Sequence, residues 1–106
     1  MRLDLAIKSA NSRERILRAA VKLAQRPGGW STLTRAGIAS AADCSDGLVS
    51  KHLGDMVNVR REVAHYAVRN QVVSIITQSL AAHDGFVVKT WLPRELKMKA
   101  LRALVG

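Results

Sequence analysis

Residues 34–53 read TRAGIASAADCSDGLVSKHL, and the spacing of apolar and small residues along this stretch decides the fold. Ile38, Ala42, Cys44 and Val49 supply a shared core for two short helices that cross at a steep angle, and Ala39 is small enough to sit where they touch. Ser31, Thr32 or Thr34 can cap the first of these helices, which runs to about Ala42; Asp43 and Cys44 make a tight turn; Ser45 caps the next helix, and Gly54 and Asp55 end it after Leu53. Residues 33–53 therefore read as a helix-turn-helix. Such a motif holds its second helix proud of the surface, where it can enter the major groove of DNA.

Toward the N-terminus, Asn11 or Ser12 can cap a helix that begins near Arg13, with Ile16, Leu17, Ala20, Val21, Leu23 and Ala24 recurring at three- and four-residue steps. Pro27, Gly28 and Gly29 stop it, and a connecting loop follows. Residues 1–12 then form an arm in which Leu3, Leu5 and Ile7 alternate with Arg2, Asp4, Ala6 and Lys8. That alternation suits a strand, and its natural partner is 86–91, the most strand-like run in the chain.

Toward the C-terminus, a long helical pattern over 57–82 places Val59, Val63, Tyr66, Ala67, Val73, Ile76 and Leu80 on one broad face. Its apolar excess at Val72, Val73, Ile75 and Ile76 is more than one stripe needs and marks a subunit interface. Pro93 opens a last helix to about Val105, with Leu96, Ala100, Leu101 and Leu104 inward and Arg94, Lys97, Lys99 and Arg102 outward. The expected fold is all-α: an arm (1–12), a three-helix head (13–56), and a helical dimerisation region (57–106) made of a long helix and a C-terminal helix. The pairing of 3–7 with 86–91 is the one β element expected.

Composition narrows the partner. Seventeen Lys and Arg against eight Asp and Glu give a formal charge of +9 and a pI near 10.9, a field suited to a polyanion. The single Cys44 excludes an intramolecular disulfide and fits a reducing compartment. No signal-peptide pattern is present and no run reaches the roughly 18 apolar residues of a membrane span, so a cytoplasmic protein is expected. His52, His65 and His83 are not spaced with Cys44 or with carboxylates as metal ligands, and no phosphate loop or nucleophile motif is visible. An enzyme is not expected, nor a cofactor.

Over residues 13–61 the chain resembles the DNA-binding head of the tetracycline-repressor (TetR-type) family. Arg15-Ile16-Leu17, Ala19-Ala20 and Leu23 look like that family's first helix; Gly29-Trp30, Thr34, Ile38-Ala39 and Ala42 follow in register; Ser45, Gly47, Val49 and His52 match in the recognition helix. Asp43 stands where the family usually has glycine, an exchange that suits a left-handed turn because aspartate enters that region more readily than most residues. Ser50 and Leu53 replace the usual tyrosine and phenylalanine, and Met56 replaces a frequent phosphate-touching lysine.

The resemblance implies a homodimeric transcriptional regulator, a repressor on a palindromic operator, paired through the 57–82 helix and the C-terminal helix. It implies that Thr34, with backbone amides at the start of the second helix, holds a phosphate, while Ser45, Asp46, Gly47, Ser50, Lys51 and His52 face base edges. Gly47 would let the backbone approach closely, Lys51 would reach guanine or phosphate, and Ser50 and His52 would bond to bases or backbone. Asp46 either accepts from a cytosine amino group or simply sits well at a helix N-terminus. The family's C-terminal domain encloses a small-molecule pocket, for which two further helices leave no room, so no effector is expected. That economy suits a phage or plasmid genome.

Other readings stay open at this point. Arg13, Arg15, Arg18, Lys22, Arg60 and Arg61 either grip flanking phosphates or form a solvated face. Trp30 and Trp91 fit core or interface anchors better than base-stacking platforms. The helix-turn-helix also serves architectural and DNA-packaging proteins, where a ring would replace the dimer, and it can serve as a module that docks a protein.

Overall fold

Caps and left-handed residues divide the chain into short helices. The computed structural model describes the backbone of residues 2–82 and 94–105, and the side chains of 11–82 and 94–103. Within these residues every element is a helix: α1 (Arg2–Gln25), α2 (Gly29–Thr32), α3 (Arg35–Ala42), α4 (Asp46–Leu53), α5 (Met56–Arg69), α6 (Val73–Ala81) and α7 (Arg94–Val105). The all-α expectation holds.

The arm differs from expectation. α1 starts at Arg2 rather than near Arg13 and runs for 24 residues. Once the turn around Ile16 is formed, each further residue adds a hydrogen bond without a new nucleation cost. Ala6, Lys8 and Ala10 favour that extension, and Asn11 and Ser12 in mid-helix cost only about 0.5 kcal/mol each. Residues 3–7 are thus helical and do not form the expected strand; 86–91 lies outside the described residues.

The expected single helix over 57–82 is two. Gln71 takes φ 55°, Val72 N donates to Ala67 O (2.8 Å) and Gln71 N to Val68 O (3.4 Å), which is the pattern of a Schellman termination. Asn70 Nδ2 also donates to Tyr66 O (2.9 Å). The adjacent β-branched Val72 and Val73 weaken helix continuation at this point. A further difference is α2, a single turn where a loop was expected, opened by Gly28 at φ 74°.

The core gathers Ile16, Ala20 and Ala24 of α1, Ile38 of α3, Val49 and Leu53 of α4, Val59, Val63 and Ala67 of α5, and Ile75 of α6. Trp30, 2% exposed, is a core residue, as one of its two readings had it. Ile75 and Ile76 are buried within the chain, and Val72 and Val73 are half-buried against the same core. α7 packs on α6 through Leu96 and Ala100, while Leu101, expected inward, is 37% exposed.

Polar groups tie α6 to the first two helices. Gln78 Nε2 donates to Ala24 O (2.7 Å), its Oε1 accepts from Trp30 N (2.9 Å), and Ser74 Oγ donates to Gln25 O (2.8 Å). Carbonyls that α1 cannot satisfy at its own C-terminus are thereby paired. Gln78→Ala is expected to leave both partners unsatisfied and to cost about 1–3 kcal/mol, read as a lower midpoint in urea unfolding.

Candidate nucleic-acid interface

The two helices of the motif are set by three local devices. Thr34, in extended conformation, is the cap of α3, and its Oγ1 accepts from Gly37 N at 3.1 Å. α3 ends where Asp43 enters the left-handed region (φ 55°, ψ 55°), with Cys44 N donating to Ala39 O at 2.9 Å and Asp43 N to Ser40 O at 3.3 Å. Ser45 caps α4, its Oγ accepting from Leu48 N at 3.2 Å. Ile38, Ala39, Ala42 and Val49 are buried between the helices, and Cys44 is half-buried at the turn.

This frame leaves Thr34, Ser45, Asp46, Gly47 and Lys51 exposed, with Ser50 and His52 half-buried at the edges of α4. The hydroxyls of Thr34 and Ser45 accept bonds from the backbone and keep their protons available to donate outward. Asp46 in the first turn of α4 and Lys51 in its last turn complement the helix dipole. Leu53, at the end of α4, is fully buried.

Gly47 has no structural reason to be glycine. A β-carbon built there would meet nothing nearer than Ser45 Oγ at 3.9 Å, and its φ is not positive. Gly47 is the second residue of α4, and glycine costs up to about 1 kcal/mol relative to alanine in a helix, the full amount only in the interior. Gly37, by contrast, is tight against the Thr34 cap, 3.0 Å from Oγ1 to an added β-carbon.

Several basic residues acquire definite surroundings. Arg13 pairs with Glu62 at 2.8 Å, joining α1 to α5, and Arg18 pairs with Glu14 at 2.8 Å along α1. Arg60 reaches back to Trp30 O (3.5 Å) and Leu33 O (3.4 Å), steadying the chain that leads into Thr34. Arg15, Arg18 and Lys22 line an open groove of about 780 Å³ that also touches Asp43, Tyr66 and Asn70. Three cations therefore flank the turn of the motif.

Arg35 was missed in the sequence. It occupies the first turn of α3, where a cation opposes the helix dipole, and its buried Nε has no hydrogen-bond partner within the chain. A base in an unfavourable place beside a capping threonine is the signal that could have found it. The roles of Arg60 and Gln78 carried no such signal, because both depend on contacts at long sequence separation.

Among the described residues no three His, Cys, Asp or Glu side chains gather as a metal site requires, and no helix is long and apolar enough to cross a membrane. Compared with protein-family models, with curated proteins and with solved structures, the chain finds no match.

Proposed function

We propose that this chain is a sequence-specific DNA-binding transcriptional regulator with a head of the tetracycline-repressor type, acting in the cytoplasm as a homodimeric repressor on a palindromic operator without a small-molecule effector. The observation that carries the proposal is Gly47: an exposed glycine in the first turn of α4, answering no need of the fold, on the same outward face as Lys51. A backbone that must come close to a ligand accounts for it.

In this mechanism α4 enters the major groove. Lys51 reaches guanine or phosphate, Gly47 lies flush against the DNA, Ser45 and Ser50 donate or accept at base edges or backbone, and His52 works from the edge of the helix. Asp46 chiefly favours the start of α4. Thr34 and Arg35, with the amides at the start of α3, take a phosphate on one side. Arg15 and Lys22 add flanking charge. A single recognition helix reads only a few base pairs, so a two-fold dimer doubles the site.

Selection of DNA from a random pool, followed by competition binding at two salt concentrations, tests this reading. An inverted repeat should be recovered, and Lys51→Ala should weaken binding by about 1–3 kcal/mol if the lysine reads a base. The short side chains of Ser45, Gly47 and Ser50 favour a second reading, architectural or packaging DNA binding, because they leave Lys51 the one long polar chain of α4. Salt-sensitive, sequence-blind binding would select that reading, and no binding above background would select a protein-docking module.

A further inference from the structure

We propose that the groove bordered by α1, the end of α3 and the end of α5 is a docking site for an acidic amphipathic helix of another protein. The inference goes beyond the operator reading and does not depend on it. The groove encloses about 780 Å³, within the range that binding clefts span. Buried Ala19 and Ala42, with half-buried Tyr66 and Val72, give it a largely apolar floor. Ala41 is exposed near the end of α3 and puts no bulk at the mouth.

Charge sets the chemistry of the occupant. The charged residues lining the groove are Arg15, Arg18 and Lys22 on the α1 wall and Asp43 at the end of α3. Positions 15, 18 and 22 repeat at three and four residues, so the cations follow one face of α1, over about 10.5 Å of its length. Arg15 and Lys22 are exposed and form no ion pair among the described residues, while Arg18 holds Glu14 at 2.8 Å in a pair exposed on both sides. Such a surface pair yields readily to a competitor. One carboxylate or phosphate group cannot span all three cations. Glutamates spaced three and four apart on a helix lying along the groove can meet each in turn.

Asp43 separates this occupant from a nucleic acid. An amphipathic helix can turn its acidic edge to α1, its apolar face to the floor, and an amide or amine to Asp43. A phosphodiester strand carries negative charge toward both walls and offers little to Ala19, Ala42 and Val72. A second copy of this chain does not fit either, because none of its described helices carries two of its eight Asp and Glu within two turns. The chain's charge of +9 draws an acidic protein toward the groove from a distance. Arg15 and Lys22, which add flanking charge when DNA is bound, are available to this partner when it is not.

The test uses the full chain without DNA and a fluorescent helical peptide of about fourteen residues, with three glutamates spaced three and four apart and leucines along the neighbouring edge. Anisotropy should show binding with a Kd below about 100 μM. The same residues scrambled out of helical register should bind at least about fivefold more weakly. Lys22→Glu should weaken binding at least about tenfold, whereas Lys97→Glu, the same change of charge on α7, should weaken it less than about twofold. Ala41→Trp, which fills the mouth from an exposed position, should cost about tenfold. Circular dichroism checks that each variant remains helical. No binding at millimolar peptide, equal binding of the scrambled peptide, or equal losses from Lys22→Glu and Lys97→Glu would each overturn the proposal, the last two by reducing it to attraction between net charges. A peptide that fails to bind, beside a loss of duplex DNA affinity in Lys22→Glu, would overturn it in favour of phosphate. Because the peptide arm contains no DNA, its result stands whether or not the operator selection succeeds.

Discussion

Gly29→Ala is expected to leave the chain barely able to hold its native fold. Gly29 begins α2 where that turn crosses the end of α1, and an added β-carbon would be driven into the carbonyl oxygen of Leu23, 3.0 Å from its carbonyl carbon and 3.1 Å from that of Ala24. None of these atoms is the tip of a flexible side chain. To make room, the last turn of α1 must shift, and with it the carbonyls that Gln78 and Ser74 bind and the seat of buried Trp30. Overpacking ordinarily costs about 1–3 kcal/mol and occasionally more, and backbone against backbone belongs at the top of that range or beyond it. Against a total stability of about 5–15 kcal/mol for a chain of this size, a large share of the population would unfold on mild warming. Urea unfolding followed by circular dichroism reads the loss. Gly28→Ala is the control: Gly28 has φ 74° but open space around its would-be side chain, so only the left-handed penalty of about 1–2 kcal/mol applies. Equal midpoints for the two variants would mean that α1 and α2 do not cross as described.

Gly47→Gln should move stability and binding in opposite directions. A β-carbon at this position meets nothing nearer than Ser45 Oγ at 3.9 Å, and replacing glycine with a good helix former in the first turn of α4 should stabilise the fold by about a few tenths of a kcal/mol. On DNA the same side chain would stand between the backbone of α4 and the groove floor. The helix would have to retreat by the width of a side chain, breaking the hydrogen bonds of its neighbours at once, and an affinity loss of about a hundredfold, near 2.7 kcal/mol, is expected. Fluorescence anisotropy on the selected site measures it, with thermal unfolding run in parallel. A more stable protein that binds as tightly as wild type would take Gly47 out of the interface and with it the main support for α4 entering a groove.

What could be read from residues alone was what neighbours in the chain decide. Thr34 and Ser45 cap helices with their own side chains, and Asp43 turns left-handed within one residue, so the motif and its exposed face were legible before any coordinates. The start of α1 was not, because the alternation of Leu3, Leu5 and Ile7 suits a strand in isolation, whereas an established helix is extended cheaply. The break at Gln71 hid for a related reason: Val72 and Val73 continue the apolar stripe while ending the helix. Leu101 was assigned inward by spacing, but the inward side of α7 is carried by the buried Leu96 and Ala100. Arg35, Arg60 and Gln78 act through partners or surroundings that only the folded chain assembles.

The ties from Gln78 and Ser74 to the end of α1 also bear on how the protein comes apart. The elements carrying the outward face of α4 are bracketed by α1 and α2, and these are closed by a helix more than 40 residues further along the chain. Opening α6 would strip the amide of Trp30 and the last carbonyls of α1 of their partners together, so local fraying at this end cannot remain local. α4 and the C-terminal helices should then form one foldon, melting in a single cooperative step with slow amide exchange at Trp30 tracking global opening. A head cut free after α5 would not be an independent unit.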